Sequence, residues 1–154
     1  MSASIFVGVS ALFHLALGRW TPSSWLVPDL TITSMVLAIL LLPGRPLSPA
    51  VVGGLLVMLL TVQHPLAMGA AYLAVGGLMK LGADQWDLTS PPLQQAVVIA
   101  AQGLLLAVTF ILAVPLTWET CLLAATHLLL TAMCVPLVRA LLMLWIPSAR
   151  PDSR

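Results

Sequence analysis

RPLSPAVVGGLLVMLLTVQHPLAMGAAYLAVGGLMK, residues 45–80, carries a charge at each end, Arg45 and Lys80, and none at the 34 positions between them (46–79), apart from any proton on His64. Two apolar runs flank a polar break, Gln63-His64-Pro65. Water cannot be the solvent for such a hairpin. What the hairpin is for depends on the rest of the chain, which repeats its composition. Of 154 residues, 60% are hydrophobic and 7% charged, and mean hydropathy is +1.08. A soluble domain has about a quarter of its residues charged. So little charge cannot cover a folded surface, and lipid must solvate much of the protein. The expected class is all-α: a polytopic membrane protein with one transmembrane domain over residues 1–146 and a polar cytoplasmic tail over 147–154.

Apolar runs and their breaks place six segments, at about 3–17, 29–42, 49–62, 66–81, 93–114 and 120–145. Backbone groups in lipid must be satisfied within their own segment, so segments of this length are helices. The third and fourth are short against the ~20 residues a span requires. They fit either two thin spans or one re-entrant hairpin. Gly18-Arg19-Trp20 marks an interface after the first segment. Gly82 to Pro92 reads as a polar loop, Pro115 to Glu119 as a turn, and Pro136 as an interruption of the sixth segment. The N-terminus lacks a positive region before its apolar part and reads as a first helix rather than a removed signal. With the N-terminus inside, Arg45, Lys80, Arg150 and Arg154 are cytoplasmic, Arg139 is near that side, and only Arg19 is outside. That is the arrangement the positive-inside rule favours, N-in and C-in.

The net charge of +1, with no basic patch, excludes nucleic acid as a partner. No nucleophile motif, metalloprotease motif, phosphate loop or paired-carboxylate constellation occurs, so no enzyme is expected. Cys121 and Cys134, ~20 Å apart if on one helix, cannot form a disulfide and read as packing residues. The histidines have neither His-x3-His nor Cys-x2-Cys company, so no metal or cofactor is expected. Polar groups inside apolar runs are the informative ones. Asp29 follows Pro28 where a helix starts and suits an N-cap; Glu119 opens the sixth segment in the same way. His127, Thr131 and Cys134 share a face. Arg139 can snorkel to the inner headgroups. Gln95, Gln102 and Thr109, at intervals of seven, form one stripe that should face other helices. Thr31, Ser34 and Ala38 share a face of the second segment. Small residues at Gly53, Gly54, Gly69, Ala70, Ala74 and Gly77 permit close helix approach, within the bundle or against a partner helix.

The order of these features resembles the MreD family, rod shape-determining membrane proteins of bacteria. The resemblance rests on Pro28-Asp29-Leu30 opening an apolar helix, a short Gly-Arg-Pro turn and a Gly-rich helix. Pro65-Leu66-Ala67-Met68-Gly69 then opens a helix ending at Lys80, and a long helix starts near Gln94. Cys134-Val135-Pro136-Leu137-Val138-Arg139 resembles the end of that family's last helix. One place departs. The family often has an aspartate late in the third helix, and here that position, near Leu59, is apolar, which suggests a divergent member with a changed partner. The resemblance implies a non-enzymatic scaffold in the bacterial inner membrane that binds a single-span MreC-like protein and the cell-wall synthesis machinery. It also implies a fold like the substrate-binding subunits of energy-coupling-factor transporters. A small-molecule-binding transporter subunit is the alternative. On the scaffold reading, Gly53, Gly54, Gly69, Ala70, Ala74, Gly77 and Gln102 are the partner-facing candidates, and Asp29, Glu119, His127 and Arg139 the buried or boundary polar ones.

Overall fold

The computed structural model describes residues 2–146 except 22, 43, 45, 62, 63, 89 and 113. The predicted polar tail, Arg45 and Gln63 therefore lie outside the described residues. Among the described residues there are six α-helices, a single 3-10 turn and no strand: α1 (Ser2–Trp20), the turn Ser24–Leu26, α2 (Leu30–Leu41), α3 (Ser48–Leu60), α4 (Pro65–Gln85), α5 (Pro91–Leu112) and α6 (Trp118–Trp145). Helices α1, α4, α5 and α6 are long and apolar enough to cross a membrane. The chain is a multi-pass membrane protein.

Helix α2 is the axis. Every residue from Thr31 to Leu41 is buried, and α2 packs against all five other helices, which surround it in the order α1, α3, α4, α5, α6. The face shared by Thr31, Ser34 and Ala38 is packed inside the bundle, as is every other side of α2. Two of its hydroxyls are satisfied locally: Thr33 Oγ1 donates to the Asp29 carbonyl at 2.7 Å and Ser34 Oγ to that of Thr31 at 3.1 Å. The ring closes least firmly between α1 and α6, where Phe6 and Trp145 meet with ring centroids 6.2 Å apart.

Helices α3 and α4 form the most extensive pair. A Cβ on Gly69 would meet the Gly54 carbonyl oxygen at 3.0 Å, and one on Gly76 would overlap the Cβ of Ala50. Gly53 lies against Met35, Val7 and Thr31. These glycines hold the bundle together, as small residues do where helix backbones approach in lipid. Gly53, Gly54 and Gly69 are thus withdrawn from the expected partner surface. His64, before Pro65, takes the left-handed conformation at φ 50° and ψ 49°, uncommon for a residue with a Cβ.

Several boundaries move outward. Helix α1 runs on through Arg19 to Trp20. Helix α4 continues past Leu81 to Gln85 because Lys80 and Asp84, one turn apart, pair at 2.7 Å. Helix α6 begins at Trp118, where Thr117 and Thr120 form a capping box. Glu119 is therefore not the cap; it is exposed in the first turn, where a carboxylate meets the positive end of the helix dipole. Pro136 does not interrupt α6. A proline cannot donate to the carbonyl four residues back, here Ala132, but Gln95 Nε2 of α5 donates to that oxygen at 3.0 Å. A neighbouring helix supplies the lost donor, which is how membrane helices tolerate proline.

Exposed tryptophans mark both ends. Trp20 and Trp118 lie at the end where α1 leads to α2, α3 to α4 and α5 to α6, called the upper end below. Trp86 and Trp145 lie at the lower end. Tryptophan favours both headgroup regions of a bilayer.

Candidate ligand-binding site

Several polar residues of the spans gather at the upper end. A cavity of about 290 Å³ is lined by the late part of α1 (His14), the 3-10 turn (Trp25), the N-cap of α2 (Asp29), the residue after α3 (Thr61), the early turns of α4 (Met68, Tyr72), the later turns of α5 (Gln102, Leu105, Leu106, Thr109) and the early part of α6 (His127). A smaller cavity of about 130 Å³ adjoins it and shares His14, Thr61, Met68 and Tyr72. Helix order around α2 produces the convergence, since each of the other helices delivers the end that lies at the upper level.

Asp29 is the centre. Asp29 caps α2, as its position after Pro28 suggests. Its Oδ1 accepts from the backbone N–H of Thr31 at 3.1 Å and of Ile32 at 3.0 Å. Its Oδ2 accepts from Tyr72 Oη at 2.7 Å. The Asp29 N–H donates to Thr131 Oγ1 at 3.0 Å, which ties α2 to α6. The residue is 6% exposed. A carboxylate so far from water needs several donors; here two amides, the helix dipole and a phenol provide them.

Of the two histidines, His14 is held by backbone. His14 Nδ1 is 2.9 Å from the Pro28 carbonyl oxygen. That oxygen can only accept, so Nδ1 carries the proton and Nε2 of the neutral ring is an acceptor. The His127 ring lies beside the backbone of Trp25 and Val27. It also meets the Trp25 indole edge-on, with centroids 6.1 Å apart and planes at 78°. Trp25 also meets Phe110, again at 6.1 Å. His127 is 7% exposed and Gln102 3%. His127 Nδ1 and Gln102 Oε1 are both buried with no hydrogen-bond partner among the described residues.

The site thus brings together Asp29, His127 and Gln102 from three helices. It omits Glu119, and Arg139, which lies half-buried toward the lower end with its Nε unpartnered. Gln102 is a cavity residue, not one facing a partner. The stripe on α5 divides by depth: Gln95 serves the α6 carbonyl, while Gln102 and Thr109 reach the cavity. Thr131 of the predicted α6 face is buried against Asp29, whereas Cys134 is half-buried and Cys121 exposed, both free thiols. Sequence reasoning missed Tyr72. Its signal was available: the chain's single tyrosine stands in an apolar helix, and a buried phenol needs a partner. Among the described residues no group of three His, Cys, Asp or Glu side chains could hold a metal ion. Comparison with models of known protein families, with curated proteins and with solved structures finds no match.

Proposed function

We propose that the chain is a non-enzymatic scaffold subunit of a cell-shape complex directing peptidoglycan elongation in the bacterial inner membrane, an MreD-like protein that binds a single-span MreC-like partner. In this reading the upper end faces outward and both termini face the cytoplasm. One observation carries it. With Gly53, Gly54, Gly69 and Gly76 used inside the bundle, α4 still leaves a second row of small residues uncovered. Ala70 and Ala74 are exposed, and a side chain added at Gly77 would meet nothing within 4 Å. Their spacing of four and three puts them on one face, where a partner helix could approach closely. The two stretches behind the resemblance, Pro28-Asp29-Leu30 and the helix opened by Pro65, are also joined by the Tyr72–Asp29 hydrogen bond.

Affinity purification of the tagged protein in mild detergent tests the proposal. The expected result is a stoichiometric single-span partner, lost in Ala74→Leu and Gly77→Leu variants whose thermal unfolding is unchanged. Recovery of a monomer carrying only a bound metabolite would sink the scaffold reading. The upper cavity favours a second reading, a small-molecule-binding subunit of a transporter, because convergent polar groups in a concave site are the mark of ligand pockets.

A further inference from the structure

We propose that the upper cavity is a binding site for an organic cation, with a primary ammonium or guanidinium group held by Asp29, His127 and Gln102. The inference deepens the small-molecule reading and is independent of the scaffold reading. Charge balance comes first. Among the described lining residues, Asp29 is the only Asp, Glu, Lys or Arg. Its carboxylate is stabilised by dipoles but not neutralised. A cation entering the cavity would complete a pair that the chain leaves half-made, and an anion would be repelled.

Hydrogen-bond accounting agrees. Asp29 Oδ1 already takes two N–H groups, whereas Oδ2 takes only the Tyr72 hydroxyl and keeps one acceptor position. The Tyr72 proton is spent on that bond. His14 donates to the Pro28 carbonyl and keeps an acceptor at Nε2. His127 Nδ1 and Gln102 Oε1 are buried and unpartnered. The positions on Asp29 Oδ2, His14 Nε2 and Gln102 Oε1 are acceptors, and each such group left unpaired out of water is costly. The complementary ligand brings several N–H donors and a positive charge. Ordered water could supply donors, but not the charge. The Trp25 indole, in contact with Phe110 and His127, adds an aromatic wall of the kind that attracts cations. The volume of about 290 Å³ lies at the small end of ligand pockets, ~300–1,000 Å³, which suits an ion of modest size.

The ammonium can come from a free amine or from a lipid headgroup. The test is calorimetric titration of the full chain, in phosphatidylglycerol nanodiscs, with benzylammonium, benzyl alcohol and benzoate. Saturable binding of benzylammonium is expected, with the other two at least about tenfold weaker. Asp29→Asn should weaken benzylammonium by about tenfold or more while keeping α2 capped, since asparagine is an equally good N-cap. Gln102→Leu, which leaves the cap untouched, should weaken it as well. Repeating the titration in phosphatidylethanolamine nanodiscs separates the sources. Competition by that lipid assigns the site to the headgroup, and unchanged affinity assigns it to a free amine. Benzyl alcohol or benzoate binding as tightly as benzylammonium would overturn the cation assignment alone. No saturable binding by any of the three would overturn the small-molecule reading with it, whatever the affinity purification recovers.

Discussion

The Asp29–Tyr72 hydrogen bond joins α2 to α4 through a charged acceptor, and its loss should be visible in stability. Tyr72→Phe removes the donor and leaves Oδ2 short of a partner. The expected cost is ~1–3 kcal/mol, read from unfolding in mild detergent by added dodecyl sulfate. Asp29→Ala should cost more than Asp29→Asn, because alanine loses the cap as well as the phenol's acceptor. In the double variant Tyr72→Phe/Asp29→Ala the losses should fall short of additive, since both remove the same bond. Neighbouring glycines offer a sharper contrast. Gly76→Ala forces a methyl onto Ala50 and should destabilise by ~1–3 kcal/mol, the usual range for overpacking. Gly77→Ala meets nothing within 4 Å and should be neutral or stabilising by up to ~1 kcal/mol, as alanine replaces glycine in a helix. Equal effects at the two positions would contradict the α3–α4 packing. Asp29 could be read from the sequence as a cap because a cap is a local event. Its bond to Tyr72, 43 residues away in the chain, could not be read in the same way. Nor could the meeting of Asp29, Gln102 and His127, which were each visible as polar groups in apolar surroundings, because helix order around α2 decides it.

At the level of elements, the instructive pair is α5 and α6. A proline inside a membrane segment reads as a break when only that segment is considered. The Ala132 carbonyl that Pro136 leaves unpaired is taken by Gln95 from the adjacent helix, so α6 stays whole. Gln95→Leu should therefore cost ~1 kcal/mol or more, with the proline as the reason. Pro136→Ala restores the internal bond and should make Gln95→Leu nearly neutral; dodecyl sulfate unfolding of the four proteins in the cycle measures this. The same limit explains why α2 could not be recognised as the axis. In a soluble protein a helix buried on all sides stands out by its lack of polar residues. In lipid the outward faces are apolar too, so α2 and the lipid-exposed α3 look alike in composition. Helix number and approximate bounds were legible because breaks in hydropathy are strong. Which face meets protein was not, because hydropathy is the same on both sides.

For the molecule as a whole, the proposed topology makes a direct prediction. A cysteine at Lys80 should react with reagents supplied from the cytoplasm, and one at Glu119 with impermeant reagents from outside; the reverse pattern would invert the protein. The lengths of the helices have a mechanical consequence. Helix α3 is 13 residues long, ~20 Å at 1.5 Å per residue, and shows Val51, Leu55 and Leu59 to its surroundings. Helix α5 is 22 residues long and α6 28, ~33 and ~42 Å. A bilayer core of ~30 Å fits α5 and α6, yet stands some 10 Å too tall beside α3. The lipid there must stretch sideways and sink, so the protein presses a dimple into one flank of the membrane. At a fraction of a kcal/mol per Å, that elastic load amounts to several kcal/mol and is heavier in long-chain lipids than in short-chain ones. Unfolding should therefore require more denaturant in short-chain nanodiscs. Two such molecules, or one molecule and a companion helix laid along α3 and α4, would share a single dimple and shed part of its load, so curvature energy alone would draw them together.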